Sequence, residues 1–138
     1  MAIHFFAEGV DFELPKPRVT TTWVKNAIKK ERKNLGSLSF IFCSDTYLLR
    51  LNTQYLKHNT LTDILTFPST EDPKLIEGEI YISINRVREN ALKFKTTFDE
   101  ELHRVIIHGT LHLVGYDDKS VSDKAKMREK EEAYLSLR

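Results

Sequence analysis

Residues 108–118 read HGTLHLVGYDD, which places two histidines four positions apart and two aspartates just after a glycine. Apolar side chains recur at close to the helical period from Thr97 to Val114, so a helix is predicted to run into this stretch. Thr97 followed by Glu100 fits a capping box at its start, and Gly115 fits its end. Side chains four apart lie on one face of a helix. His108 and His112 are therefore expected to point the same way.

This spacing is typical of a metal site. Zinc binds neutral imidazole nitrogen, takes carboxylate as a further ligand, and keeps an open position for water in catalytic sites. The sequence predicts His108 and His112 as two ligands and Asp118, beyond the Gly115 turn, as the third, with Asp117 as the adjacent alternative. The pair lies in an apolar run, so its nitrogens need partners. The alternative is a solvated helix face or two hydrogen-bonded core histidines.

Other reactive groups are less distinctive. A zinc peptidase of the HExxH type needs glutamate beside its first histidine, and Gly109 stands there, which argues against that mechanism. Asp63 and Glu79 could orient water or substrate, although pairing with a neighbour at a strand end is favoured for both. Cys43 lies in an apolar run, which predicts a buried core thiol rather than a nucleophile.

The combined motifs resemble the YbeY family of metal-dependent endoribonucleases that act in ribosomal RNA maturation. Besides residues 108–118, the resemblance rests on Leu51-Asn52 with Tyr55, on TDILTFP at 62–68 and on GEIYIS at 78–83. It implies that His108, His112 and Asp118 hold one Zn²⁺ per chain and act in catalysis through it. The family's third ligand is usually histidine, so this chain is a variant with aspartate there, which changes the charge of the site.

A second departure concerns substrate binding. The family usually carries an arginine after the tyrosine that matches Tyr55, and here that position is Leu56. Lys57 and His58 are the nearest replacements and are predicted to contact substrate. The resemblance implies a zinc-dependent, single-strand-specific endoribonuclease in 16S rRNA 3′-end maturation and ribosome quality control. Its expected partners are ribosomal RNA and the small ribosomal subunit, with no DNA.

Two other functions remain open. One is a non-catalytic ribosome-assembly or RNA-binding factor with a structural metal, which Leu56 favours; a structural zinc would have four protein ligands and no water. The other is a hydrolase of a different substrate.

Composition sets the broad class. The chain has 138 residues, 41% of them hydrophobic, a formal net charge of +1 and a single cysteine. One domain spanning residues 1–138 is expected. The charge balance does not predict nucleic-acid binding, so any basic surface must be local. No signal-peptide pattern or membrane-spanning run is recognised, which predicts a cytoplasmic protein with no membrane partner.

The pattern of the whole chain predicts an α+β fold, a four-stranded mixed sheet covered by about five helices, with the metal site on a C-terminal helix. The first two strands should be parallel, and the length of the linker from Pro68 to Glu77 allows the last two to be antiparallel. Asn85 is expected to cap a helix with Val87, Ala91, Leu92 and Phe94 on its apolar side. The predicted strands are Met1–Phe6, Ser37–Cys43, Thr62–Phe67 and Gly78–Ile84; the other predicted helices are Thr20–Leu35, one opening at Ser44 or Asp45, and one from Ser120 through Leu137 with contacts at Ala125, Met127, Ala133, Tyr134 and Leu137.

Overall fold

A computed structural model describes residues 2–56 and 62–138 of the chain. The predicted α+β fold is confirmed, with four strands and five helices in the described part. The strands are β1 (Ala2–Glu8), β2 (Asn34–Cys43), β3 (Ile64–Pro68) and β4 (Leu75–Ser83); the helices are α1 (Pro17–Lys30), α2 (Asp45–Leu56), α3 (Ile84–Lys93), α4 (Phe98–Val114) and α5 (Val121–Leu135).

The sheet has the strand order β1-β2-β4-β3. β1 runs parallel to β2, β2 runs parallel to β4, and β3 is antiparallel to β4. One row across the sheet joins Phe5, Phe40, Ile80 and Thr66 in register. The sheet is therefore mixed, the predicted parallel pairing of the first two strands is confirmed, and β3 and β4 form the antiparallel return that the linker length allowed.

The sheet is covered on both faces. The larger core cluster contains Phe40, Ile80 and Ile82 of the sheet, and apolar side chains of α1 and α4 such as Val24 and Ile106. A smaller cluster on the other side contains Cys43 with Leu48 of α2 and Leu65 of β3. Burial raises the pKa of the Cys43 thiol to about 12, and a nearby carboxylate, Asp45, adds to this. A core thiol was predicted, and the structure agrees.

The predicted helix Thr20–Leu35 is wrong at both ends. α1 begins at Pro17, where a missing N–H costs nothing because the first turn of a helix has no acceptor for it. It ends at Lys30, and Arg32 then has a φ of 60°, which reverses the chain. Leu35 belongs to β2, in register with Ile76 of β4. The helical spacing of Leu35 was coincidental, because strand pairing rather than local period places this residue.

Two boundaries around β4 and α3 also differ from the prediction. β4 begins at Leu75 instead of Gly78. The N-cap of α3 is Ser83, whose Oγ accepts the Arg86 N–H at 3.2 Å, and not Asn85. Asn85 Oδ1 instead accepts the backbone N–H of Asp45, at the start of α2.

Several predicted apolar contacts are solvent-exposed. Leu92 and Phe94, at the end of α3, are 77% and 60% exposed. In α5, Ser120 caps the helix as expected, and Met127 and Tyr134 are buried. Ala125, Ala133 and Leu137 are exposed, which contradicts their assignment to the core.

Candidate metal centre

Helix α4 carries both histidines of the predicted site. Thr97 caps it, because its side-chain oxygen accepts the Glu100 N–H at 3.0 Å. The second half of the predicted capping box is wrong, since the Glu100 carboxylate accepts a hydrogen bond from Thr96 instead. Gly109 faces the sheet: a Cβ there would lie 2.9 Å from Ile80 Cγ2. The small residue therefore lets α4 approach β4 closely, which holds the histidine-bearing face at a defined height above the sheet.

The turn after α4 folds the chain back onto the helix. Gly115 has a φ of 126°, its N–H contacts His112 O, and the Tyr116 N–H bonds Leu111 O at 3.0 Å. This is a Schellman arrangement, in which a glycine ends the helix and its last carbonyls remain paired. The Tyr116 carbonyl is thereby turned towards the ring of His112.

Three side chains converge where the turn meets the helix. His108 Nε2 and His112 Nε2 lie 2.9 Å apart. Asp118 Oδ2 is 3.3 Å from the first nitrogen and 3.5 Å from the second. Among the described residues, these form the group of three whose potential ligand atoms lie within 4.8 Å of one another. The structure thus brings together the three predicted ligands.

The opposite ring nitrogen of each histidine has a fixed acceptor. His108 Nδ1 lies 2.6 Å from Glu131 Oε2, and His112 Nδ1 lies 3.0 Å from the Tyr116 carbonyl oxygen. A backbone carbonyl can only accept, and an ionised carboxylate can only accept, so each Nδ1 carries the hydrogen. Both Nε2 atoms then present lone pairs to the same point. Such partners orient metal-ligating histidines in proteins.

This donor set suits a small divalent cation. Two facing lone pairs at 2.9 Å repel unless a proton or a metal ion lies between them, and the nearby Asp118 oxygen adds negative charge. In a tetrahedral zinc site with bonds of about 2.0 Å, neighbouring ligand atoms are about 3.3 Å apart. The three observed separations bracket that value. Two imidazoles and one carboxylate are also ligands that zinc accepts, so the residues fit this metal.

Glu131 is the functional residue that sequence reasoning missed. It is 5% exposed, and its second oxygen accepts a hydrogen bond from Arg104 Nη1 at 3.0 Å. Burial lowers the pKa of His108, but the hydrogen bond to Glu131 and three nearby carboxylates outweigh it and raise the pKa overall. The sequence did contain a signal for a buried charge at this position. Glu131 lies between Met127 and Tyr134 at helical spacing, so a charged residue interrupts the apolar side of the helix.

A second support reaches the site from α1. Just after that helix, the Glu31 carboxylate accepts hydrogen bonds from Tyr116 at 2.7 Å, from Lys130 at 3.2 Å and from Tyr134. Burial raises the pKa of Glu31, but the three hydrogen bonds outweigh it and lower the pKa overall. This network anchors Tyr116, which orients His112 and leads to Asp118. Nothing in the sequence indicated it, because Glu31 and Tyr134 are 103 residues apart.

The three candidate ligands open into a cleft of about 320 Å³, which is also lined by Asp63 and Leu56. Burial raises the pKa of the Asp63 carboxyl, and the charge of His108 only partly offsets this. The Asp63 carboxylate accepts a long hydrogen bond from the Asn90 amide, at 3.5 Å. Asp63 therefore lines the cleft and also pairs with a neighbouring side chain, the contact that the sequence favoured. Leu56 gives the cleft wall an apolar side chain that is 41% exposed.

The remaining candidate residues lie elsewhere. Glu79 is exposed and accepts a hydrogen bond from Tyr81 at 3.3 Å, which agrees with a structural role. Asp117 is exposed and is not part of the three-residue group. Lys57 and His58, the predicted substrate contacts, lie outside the described residues.

No helix in residues 2–56 and 62–138 is both long enough and apolar enough to cross a membrane.

Comparison with known proteins identifies relatives that match over nearly the whole chain. A family model described as Endoribonuclease YbeY matches residues 11–137. Curated proteins named Endoribonuclease YbeY include one from Amoebophilus asiaticus that is 49% identical over 96% of this chain and 90% of its own length. Another, from Bacteroides thetaiotaomicron, is 44% identical over the full length of both chains. The solution structure of TM1509 from Thermotoga maritima matches with a TM-score of 0.69 and 32% identity, covering 98% of this chain and 87% of the other.

Proposed function

Because this chain belongs to the YbeY family, we propose that it is a zinc-dependent endoribonuclease that hydrolyses phosphodiester bonds in single-stranded RNA. The observation that carries the metal-dependent part is the group of His108, His112 and Asp118, whose ligand atoms lie 2.9 to 3.5 Å apart at the wall of an open cleft. The activity class rests on the names of the relatives.

His108 and His112 would hold Zn²⁺ through Nε2, and Asp118 through a carboxylate oxygen. Bound there, zinc acidifies a water molecule and polarises a phosphoryl oxygen. The chain's own contribution is to hold a hydrogen on each Nδ1, through Glu131 and the Tyr116 carbonyl, so that both Nε2 atoms are aimed at one point. Because these side chains are already held in place, they lose little conformational entropy when the ion binds.

Asp63 is proposed as the second polar group of the cleft. It lines the same space as the three ligands, and its weak contact with Asn90 leaves carboxylate lone pairs available. It is placed to accept a hydrogen bond from water or from a ribose hydroxyl and so to orient it. Leu56 supplies no charge for the phosphate, and we propose Lys57 and His58, which lie outside the described ranges, for this task.

The cellular role that we propose is maturation of the 16S rRNA 3′ end and ribosome quality control, with ribosomal RNA and the small subunit as partners. It is supported by the resemblance of four sequence motifs, which span the chain from Leu51 to Asp118, to a family with that role. On the same basis we propose one metal-hydrolase domain over residues 1–138, working in the cytoplasm.

A structural metal is the second candidate. It would need a fourth protein ligand. Among the described residues the group has three members, and all three line the open cleft. This arrangement favours a site that admits water and substrate over a closed one.

The test combines metal analysis with RNA cleavage. The wild type, His112→Ala and His4→Ala should be compared on single-stranded RNA, on duplex RNA and on precursor RNA that carries the 16S 3′ end. His4 lies exposed on β1 and is a matched histidine control. We expect the wild type and His4→Ala to bind one Zn²⁺ and to cut single strands, and His112→Ala to do neither. Zinc binding without cleavage under any divalent metal would refute the enzyme proposal.

A further inference from the structure

A second cavity, of about 470 Å³, lies between the end of α3, the first half of α4 and α5. We call it the α3–α5 cavity; its lining includes Phe94, Glu101, Arg104, Arg128 and Leu135. Its volume is within the range of small-ligand sites. It shares none of its lining residues with the metal cleft.

Glu101 is the unusual group in this cavity. The residue is 5% exposed and its backbone N–H bonds Thr97 O, yet its carboxylate forms no hydrogen bond or ion pair with any residue in 2–56 or 62–138. Within those ranges, no fully buried side-chain oxygen or nitrogen lacks a partner. The Glu101 carboxylate oxygens must therefore open to the cavity. Burial and then the charge of Asp63 raise the pKa of this carboxyl, and the charges of Arg104 and Arg128 only partly offset this. A buried carboxylate without a donor is costly, so the site suits a ligand that brings N–H groups.

Most other charges of the cavity are already engaged. Arg104 binds Glu131 and Glu132, and Arg138 binds Asp99. Arg128 differs, because within the described part of the chain no hydrogen bond or ion pair holds it. The cavity therefore offers one free carboxylate and one free guanidinium.

Phe94 supplies the apolar contact. Its ring lines the cavity but is 60% exposed, which is uncommon for phenylalanine. Exposed aromatic rings are platforms on which unpaired bases stack in single-strand-binding proteins. A ligand with a flat face, adjacent N–H donors and a phosphate would engage Phe94, Glu101 and Arg128 together.

We propose that the α3–α5 cavity binds an unpaired guanine nucleotide of the RNA substrate. Guanine presents N1–H and N2–H side by side, and a carboxylate can accept both. Adenine places a ring nitrogen lone pair next to its single amino group, which would face the carboxylate unfavourably. This inference rests on the proposed RNA-directed function and adds a base preference to it.

The cavity lies on the same helix face as the metal centre. Glu101, Arg104 and His108 follow one another at helical spacing, and Glu131 joins Arg104 to His108. Seven residues of helix span about 10 Å. At a stacked spacing of about 3.4 Å per nucleotide, the bound guanine would lie about three nucleotides from the bond that is cut.

Nucleotide binding tests the proposal without any cleavage. Binding of 5′-GMP, 5′-IMP and 5′-AMP to the His112→Ala protein should be measured by calorimetry. We expect 5′-GMP to bind about tenfold or more tightly than 5′-AMP, since a hydrogen bond to a charged group contributes that much. 5′-IMP lacks the N2 amino group and should bind between the two. Equal binding of all three, or no saturable binding of 5′-GMP, would overturn the proposal.

Two variants identify the groups involved. Glu101→Gln should abolish the preference for guanine and should unfold at the same temperature or higher, because it removes a buried unpaired charge. Arg128→Gln should lower the affinity for 5′-GMP to that for guanosine. Glu129→Gln, an exposed change on α5, is the control and should alter neither. Unchanged 5′-GMP binding by Glu101→Gln would refute the assignment.

RNA cleavage assays distinguish the guanine site from the nuclease activity. RNA substrates with inosine in place of single guanines should be cut more slowly by the wild type only when the change lies at one fixed offset from the cleavage site. Cleavage that no inosine affects would refute the guanine site and leave the nuclease intact. Binding of 5′-GMP without RNA cleavage would refute the nuclease proposal and leave the guanine site intact.

Discussion

Replacing Glu131 with glutamine should weaken metal binding, although Glu131 contacts no metal itself. Its two oxygens accept hydrogen bonds from His108 Nδ1 at 2.6 Å and from Arg104 at 3.0 Å. A glutamine side chain has one oxygen and one NH₂ group. Whichever way the amide turns, a donor faces a donor, so either the histidine or the arginine loses its acceptor.

The size of the effect follows from these contacts. Loss of a partner behind a metal-binding histidine lowers metal affinity by about 10- to 100-fold. This corresponds to about 1.4 to 2.7 kcal/mol. A hydrogen bond to a charged group contributes about 1.5 to 3 kcal/mol, which agrees. The Glu131 side chain is 7% exposed, so water cannot readily replace the lost acceptor.

Competition with a chromophoric chelator measures the Zn²⁺ affinity of the wild type, Glu131→Gln and Glu129→Gln. Glu129 is an exposed neighbour on α5 and controls for the loss of one negative charge. Circular dichroism shows whether the variants are folded. If folded Glu131→Gln binds Zn²⁺ as tightly as the control, the carboxylate does not orient His108, and the role assigned to Glu131 in the metal centre is wrong.

Three further outcomes are expected. Gly109→Ala would place a Cβ 2.6 Å from Ile64 and 2.9 Å from Ile80. This overpacking should outweigh the gain in helix propensity and lower the free energy of unfolding by about 1 to 2 kcal/mol, which urea unfolding measures. Because folding lowers the pKa of Glu31 from about 4.5, its ionised carboxylate stabilises the folded state at pH values above 4.5. This stabilisation is lost as the pH falls through the lowered pKa of the folded state. Glu31→Gln should therefore lack this loss of stability in an acid-unfolding curve. Leu56→Arg adds a cation to the cleft wall and should lower the KM for RNA, an effect that vanishes at high salt; an unchanged KM would place the substrate elsewhere.

The fold was largely predictable because its strands and helices have strong local patterns. Alternation in β4 and the apolar run of β2 predicted strands, and α4 was predicted from its period and from Gly115 at its end. The errors fall where tertiary contacts override local preference. Leu35 fits the stripe of α1, yet pairing with Ile76 draws it into β2. Phe94 continues the apolar side of α3, yet it follows the last turn as the C-cap and stays 60% exposed.

By itself, the sequence determined which donors lie one helical turn apart, because the period of a helix is a local property: His108 and His112 had to share a face. It also determined that Gly115 would turn the chain and bring Asp118 within reach. Only the tertiary structure decided which residues orient those metal-binding side chains and line the cleft beside them. Glu131 comes from α5, Glu31 from the residue just after α1, and Asp63 from the segment before β3. Their positions depend on how α1, α4 and α5 pack around the sheet, which no local pattern encodes.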